Sequence, residues 1–311
     1  MPSSQPKQES SALLPLKRAF FRPVLWARNL KGYWRSRGFS DPNLATKGLG
    51  KVNERWRKKI DTVTASPDNQ HIPRVPEAGR LEAGLLTMHN GIKVGARGYY
   101  GDGYLNLLTA NKGVHEPQEE RAFADVLKLL PSSATMLELG SYWAFYSMWF
   151  SKEVRTPHCH MVEPNFACML SGKENFRRQG LVGQFTQAYI ADKLDVASDG
   201  TDVITVDSYC AKHAIDHLNI LHSDIQGAEV AMLAGASRML AARKVDYVFI
   251  STHSNDLHRG CITALEAQGY VILAEADIDD TYSGDGLIVA KGPHIENPRA
   301  LEISHRSHRV A

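Results

Sequence analysis

Three stretches of this 311-residue chain carry side chains that could do chemistry together. The first is Glu138-Leu139-Gly140-Ser141-Tyr142-Trp143-Ala144. Glycine at position 140 lets the backbone come close to a ligand. The carboxylate of Glu138 suits a ligand that carries an ammonium group and would repel a dinucleotide's pyrophosphate. The second stretch, Met161-Val162-Glu163-Pro164-Asn165, places another carboxylate 25 residues after Glu138. There it can accept hydrogen bonds from both hydroxyls of a ribose, each worth roughly 1.5–3 kcal/mol for a charged acceptor. Nicotinamide enzymes use the same acid, so Glu163 indicates a ribose, while Glu138 weighs toward a sulfonium amino-acid cofactor. Ala144 stands where a third glycine usually falls, so the loop alone leaves both cofactor classes open.

The third set is Asp224 and His253, with His222 two residues before Asp224. A hydroxyl acceptor benefits from a base or a metal ion that lowers its pKa. Asp224 and His253 are the candidate catalytic pair. A strand would point His222 and Asp224 to one face. His222, Asp224 and His253, with His258 as a further donor, then form a candidate divalent-metal set. The chain has 13 histidines, so such sets arise by chance, and a core histidine is the plainer reading of His222. Gln226 and Gly227 suit a tight turn that exposes Asp224. Glu229 suits a structural hydrogen bond at the start of the next helix.

Elements that could hold these residues follow in order. Apolar spacing with Glu119 and Glu120 in the first turn predicts a helix over 117–130, ended by Pro131. Strands are expected over 135–139, 160–162, Gln184–Thr186, 219–224 and 247–251. Helices are expected over 144–152, 166–179, 203–213, 230–242 and 257–268. Two last strands, 270–274 and 286–290, are separated by a short Asp- and Gly-rich stretch that suits an antiparallel return. Alternating strands and helices imply a mostly parallel sheet with helices on both faces. The expected fold is α/β and Rossmann-like, with seven strands and an antiparallel last strand. The loops at the carboxyl ends of its strands hold the ligand. Four segments follow: a basic N-terminal extension over 1–80, a pre-domain segment over 81–134, the main domain over 135–292 and a tail over 293–311. The Gly- and Tyr-rich stretch 81–113 reads as short strands and turns rather than helix, with 99–104 a candidate lid. The tail from Glu302 onward, with His305 and His308, reads as disordered.

Glu138 to Phe150, the Val-Glu-Pro-Asn segment, Thr205-Val206-Asp207-Ser208-Tyr209, Ser223-Asp224-Ile225-Gln226-Gly227-Ala228-Glu229 and Ile250-Ser251-Thr252-His253 together resemble the FkbM-type methyltransferases. The resemblance covers about residues 112–291, and its most specific part is the Asp-x-x-Gly-x-Glu segment. It implies the class I methyltransferase fold, S-adenosylmethionine as cofactor, and methylation of a hydroxyl oxygen on a sugar, polyketide, lipid headgroup or similar metabolite. The family often has Asp-x-Gly-Ala-Asn in the first loop, where this chain has Glu-Leu-Gly-Ser-Tyr-Trp. His115-Glu116-Pro117 stands where the family tends to carry Tyr-Glu-Pro over the cofactor. Glu116 therefore joins Glu138, Gly140, Ser141, Tyr142, Glu163, Asn165 and Ala188 as the expected cofactor contacts.

Composition bounds the partners. Net charge is +2, but residues 1–60 carry a net of +11 and the remainder −9. Residues 13–37 mix aromatics with Lys and Arg, and could lie on an anionic membrane surface or bind polyphosphate; plainer is an extension packing on the main domain or a partner subunit. No nucleic-acid reading motif accompanies the basic arm. Four cysteines without a CxxC pair fit buried thiols in a reducing compartment. With no apolar run long enough to span a bilayer and no secretory apolar segment at the start, the reading is a cytoplasmic protein, peripheral at a membrane through residues 13–37 if at all. Partners are then a small hydroxylated substrate and a second copy in an oligomer. Two other classes compete: a degenerate methyltransferase fold serving as a binding or tethering module, and a nicotinamide-dependent oxidoreductase.

Overall fold

A computed structural model describes residues 13–37, 49–98 and 100–308. Its centre is a seven-stranded sheet ordered β12-β13-β11-β10-β4-β5-β6. These strands are β4 (Ser133–Leu139), β5 (Thr156–Val162), β6 (Gln184–Thr186), β10 (Leu218–Ser223), β11 (Val245–Thr252), β12 (Val271–Ala276) and β13 (Gly286–Lys291). Neighbours from β6 to β11 run parallel, whereas β13 pairs antiparallel with both β11 and β12. The expected seven strands and antiparallel last strand are therefore present. In sheet order the strands read third, second, first, fourth, fifth, seventh, sixth. That order reverses between β4 and β10, where a doubly wound sheet opens its ligand crevice.

Period-two alternation on the strands builds two cores. Met136 and Phe249 face a layer with Phe123, Phe145 and Trp149, while Leu137, Leu139, Val248 and Ile250 face Tyr209, Leu233 and Leu265. On the first face lie helices α4 (Pro117–Leu127) and α5 (Phe145–Glu153). On the other lie α7 (Val206–Lys212), α8 (Glu229–Gly235), α9 (Ser237–Ala241) and α10 (Asn255–Ala267). The single helix expected over 230–242 breaks at Ala236 into α8 and α9. Gly235 there packs so closely on the Ala191 carbonyl that a β-carbon would lie 2.3 Å from its oxygen.

The segments before the sheet differ from expectation. Residues 81–98 do form short antiparallel strands: β1 (Leu81–Glu82), β2 (Leu85–Thr87) and β3 (Lys93–Gly95). The rest of that stretch contains a helix, α3 (Asp102–Ala110), which the Gly–Tyr composition had argued against. Gly101 starts it with a positive φ of 73°, and Tyr104, Leu105, Leu107 and Leu108 bury its inner side. Gly103 leaves room for Trp56 of α2 (Glu54–Thr64). Burial against a second helix thus overrides the local propensity. Tyr99 and residues 309–311 lie outside the described residues. The tail read as disordered is packed up to Arg306: Leu301 and Ser304 donate to Leu273 and Asp68, and Arg306 to Asp280 and Thr281.

The basic extension is ordered over α1 (Leu14–Ser36), which packs on α6 (Phe166–Arg178). Beside it a small sheet, β7 (Tyr189–Ile190), β8 (Asp195–Val196) and β9 (Asp202–Ile204), supplies acids. Lys17 pairs with Asp195 at 2.7 Å, Arg18 with Asp202 at 2.8 Å, and Arg28 with Asp199. The charge asymmetry of the sequence is therefore partly neutralised within the chain.

Candidate active site

The loops after β4, β5 and β10 meet around a cavity of about 760 Å³. Gly140, directly after β4, has a φ of 72°, and a β-carbon would lie 1.7 Å from the Asp224 carbonyl oxygen. The close approach that demands glycine is thus first to the neighbouring strand's own backbone, not only to a ligand. Ser141 donates its N–H to the Val162 carbonyl at 3.2 Å, tying the loop to β5. Tyr142 takes a φ of 41°. Its N–H donates to Glu163 at 3.0 Å, and its hydroxyl accepts the Tyr100 N–H at 3.2 Å.

Glu163 directly follows β5 and is buried on the cavity wall. One carboxylate oxygen accepts from Tyr142 and the other from the Asn165 N–H at 2.7 Å. Burial pushes its pKa up to about 7, against the pull of these two amides. Asn165 caps α6 through its side chain, which accepts from Ala167 at 3.0 Å, and it lines the same cavity. Ala188, Ile190, Ile225, Pro164 and Ala167 make the walls largely apolar. A flat heteroaromatic base fits such walls, and a ribose fits Glu163.

Glu138 and Glu116 are set apart from this cavity. Both line a chamber of about 20 Å³ beside Gly140 and Asp224, with His115, Tyr146 and His222. That is room for one small group. Glu138 accepts the Ser147 N–H at 3.1 Å, and Glu116 accepts the Tyr146 hydroxyl at 3.0 Å. Burial pushes each carboxyl up to about 7, partly offset by His222 for Glu138 and His115 for Glu116. Two carboxylates of this kind could receive an ammonium group.

Below them lies a buried ionic layer that sequence reasoning missed. His222 meets Glu119 at 2.6 Å, and the Ser251 hydroxyl donates to the other Glu119 oxygen at 3.1 Å. His115 pairs with Glu120 at 2.7 Å and Glu116 at 3.2 Å, and His89 with Glu120 at 3.1 Å. Burial opposes charge on His115, but Glu116 and Glu120 outweigh it and push its pKa up to about 9. The same balance, with Glu119 as the main partner, raises His222.

The candidate metal set does not assemble. His222 is committed to Glu119, whereas His253 faces Glu229 at 2.7 Å and Asp224 at 3.3 Å. Among the described residues, the only three ligand groups brought within 4.8 Å of one another are His217, Asp246 and His294, at the opposite ends of the strands. His258 is also spent, between Thr252 and Glu275. The catalytic pair does come together. Around His253, desolvation is outweighed by Asp224 and Glu229, which push its pKa up to about 10. An imidazole already protonated at neutral pH cannot serve as a general base, which leaves Asp224 as the candidate of the pair. The turn expected at Gln226 and Gly227 is present, both with positive φ, and Glu229 accepts the Gly227 N–H at 2.9 Å.

A second cavity of about 360 Å³ shares Tyr100, Asp224 and Gln226 with the first. Arg55, Trp56 and Lys59 of α2, Tyr104 of α3, and Asp285 line the rest. Lys59 donates to the Tyr104 hydroxyl at 2.8 Å. Burial raises Asp285, and the charge of Asp224 adds to it. Asp224 therefore stands at the junction of the two cavities.

Comparison with known proteins gives a family match over part of the chain. Residues 195–272 match the model of the methyltransferase FkbM domain. That span runs from β8 into β12 and includes Asp224, Glu229 and His253, so the FkbM resemblance is borne out over these residues. No curated protein matches the chain in sequence. Among solved structures, TrmK of M. capricolum in complex with S-adenosyl-homocysteine is similar at 15% identity and a TM-score of 0.38, over 57% of this chain and 71% of that one. The METTL16 MTase domain aligns at 9% identity and a TM-score of 0.44, over 76% and 92%. Precorrin-6y C5,15-methyltransferase of Geobacter metallireducens aligns at 11% identity and 0.40, over 55% and 87%. The fold assignment rests on the strand order itself rather than on these distant likenesses.

Proposed function

We propose that the chain is an S-adenosylmethionine-dependent methyltransferase acting on a hydroxyl oxygen of a small acceptor. The observation that carries a ribose-bearing cofactor is Glu163, held by two backbone amides directly after β5 and facing the larger cavity. The FkbM match supports the methyltransferase class.

The donor set fits the cofactor: apolar walls for the base, Glu163 for the ribose, Glu138 and Glu116 for the ammonium end. S-adenosylmethionine, when bound, supplies a methyl group already activated on sulfur. The protein's share is then to place the acceptor, exclude water and receive one proton. Asp224, shared by both cavities, is the proton acceptor for the hydroxyl. His253 is a positioning residue: held by Glu229, it presents its Nε2 to Asp224. Trp56, Tyr100 and Tyr104 give the acceptor chamber aromatic surface, which suits a hydroxylated ring with apolar faces.

The test is incubation with methyl-labelled cofactor and a fractionated cell extract, with Asp224→Asn as the control. The reading expects label on an oxygen of a small acceptor, and transfer reduced by about 10²-fold or more in the variant. Undiminished transfer by the variant overturns the base, and label on nitrogen or carbon overturns the oxygen acceptor. A protein that binds the cofactor yet labels nothing supports the binding-module reading instead.

A further inference from the structure

Helix α1 (Leu14–Ser36) carries an apolar band on its solvent side, which a surface helix usually fills with polar residues. Its cations Lys17, Arg18 and Arg28 turn inward to Asp195, Asp202 and Asp199. Leu14, Phe21 and Leu25 are half-buried on its inner face, but most of its large apolar side chains point to solvent. Leu16, Phe20, Val24, Leu30 and Trp34 recur at helical spacing and are all exposed, Phe20 at 76% and Trp34 at 61%. None of the 23 residues is buried, and Trp26 and Tyr33 add exposed aromatic surface alongside. At 1.5 Å per residue the helix is about 35 Å long. A contiguous apolar band of that length on a soluble surface marks an interaction site.

We infer that this band seats α1 on an anionic lipid bilayer surface. Three observations select that occupant. The helix carries no Asp or Glu, while Arg22, Lys31 and Arg35 are exposed along it, the charge pattern that anionic headgroups complement. The apolar side chains stand on the outside of a single helix rather than in a groove, a shape matched by a flat fluid surface. A second copy docked on the same stripe by twofold symmetry would bring these cations against their own kind. Tryptophan and tyrosine at the edge of the band suit the headgroup boundary, where a ring can be half apolar and half wet. The helix lies in the interface and does not cross it, since no described helix is long and apolar enough to span a membrane. Arg35 at its end lines the larger cavity, so the bound helix holds that cavity close to the lipid surface.

The experiment is co-sedimentation of the full chain with vesicles of phosphatidylcholine alone or with about one-third phosphatidylglycerol. The wild type is expected to pellet with the anionic vesicles and to be released by about 0.5 M salt. The double variant Phe20→Asp with Trp34→Asp is expected to bind about tenfold more weakly. Both changes are at exposed positions, so circular-dichroism melting should be unchanged. Failure to pellet with anionic vesicles, or equal pelleting of wild type and variant, overturns the inference. So does a dimer in light scattering that the double variant dissociates, which assigns the band to a second copy.

Discussion

At Gly140 the β4 and β10 backbones come so close that any β-carbon would collide with the Asp224 carbonyl. Gly140→Ala should therefore cost about 3 kcal/mol of stability and remove cofactor binding, measured by thermal melting and calorimetry. Asp224→Asn should act differently. It should lower kcat by about 10²–10⁴-fold while leaving S-adenosylhomocysteine affinity within about threefold, because only the proton-accepting atom changes. The titrations have definite signs. The pKa of His253 is raised to about 10 and that of His115 to about 9, both above the ordinary histidine value of 6.5. Stability from these groups is fully present below about pH 6.5 and lost as pH rises toward 9 and 10. Melting temperatures across that range should fall, and His253→Gln should flatten the upper part of the fall. Glu138 and Glu163 were legible because acids at strand ends beside a glycine loop have few uses. The partner of His222 was not, because Glu119 reaches it from a helix 103 residues away in sequence; the His115–Glu120 pair is local, but nothing in its spacing marks it as buried.

At the scale of elements, the alternating strands and helices of the main domain were readable from apolar periodicity. Elements whose burial comes from a distant segment were not. Helix α3 looked like a turn because the glycines and tyrosines just before and at its start disfavour helix, yet Gly103 is what lets Trp56 of α2 pack against it. The acceptor chamber went unseen for the same reason, since Lys59, Tyr104 and Asp285 are far apart in sequence. A bulkier side chain at 103 tests this pairing. Gly103→Val should displace Trp56 and raise KM for the acceptor by about tenfold or more, because the wall of the chamber moves. Cofactor affinity should hold, since neither helix α2 nor Trp56 lines the larger cavity. Equal loss of both affinities would mean that the two cavities do not separate cofactor from acceptor.

Across the whole molecule, the sheet sets the plan. Its order reverses between β4 and β10, and the Gly140 loop, Asp224 and both cavities gather at that point. The segments before the sheet, expected as an extension packing on the main domain with a candidate lid over 99–104, border both cavities: α2 and α3 wall the smaller one and α1 borders the larger. The composition showed a basic arm and an acidic body, but not that Lys17, Arg18 and Arg28 of the arm would pair with acids of the body while Phe20, Trp26 and Trp34 stay exposed. The central claim is that Glu163 anchors the ribose of S-adenosylmethionine. Calorimetric titration of S-adenosylhomocysteine into the wild type and Glu163→Ala at pH 8, above the raised Glu163 pKa of about 7, tests it most directly. One site of about micromolar affinity, weakened at least about tenfold in the variant, is the predicted result. Equal affinity in both proteins, or no binding to the wild type, would contradict the account.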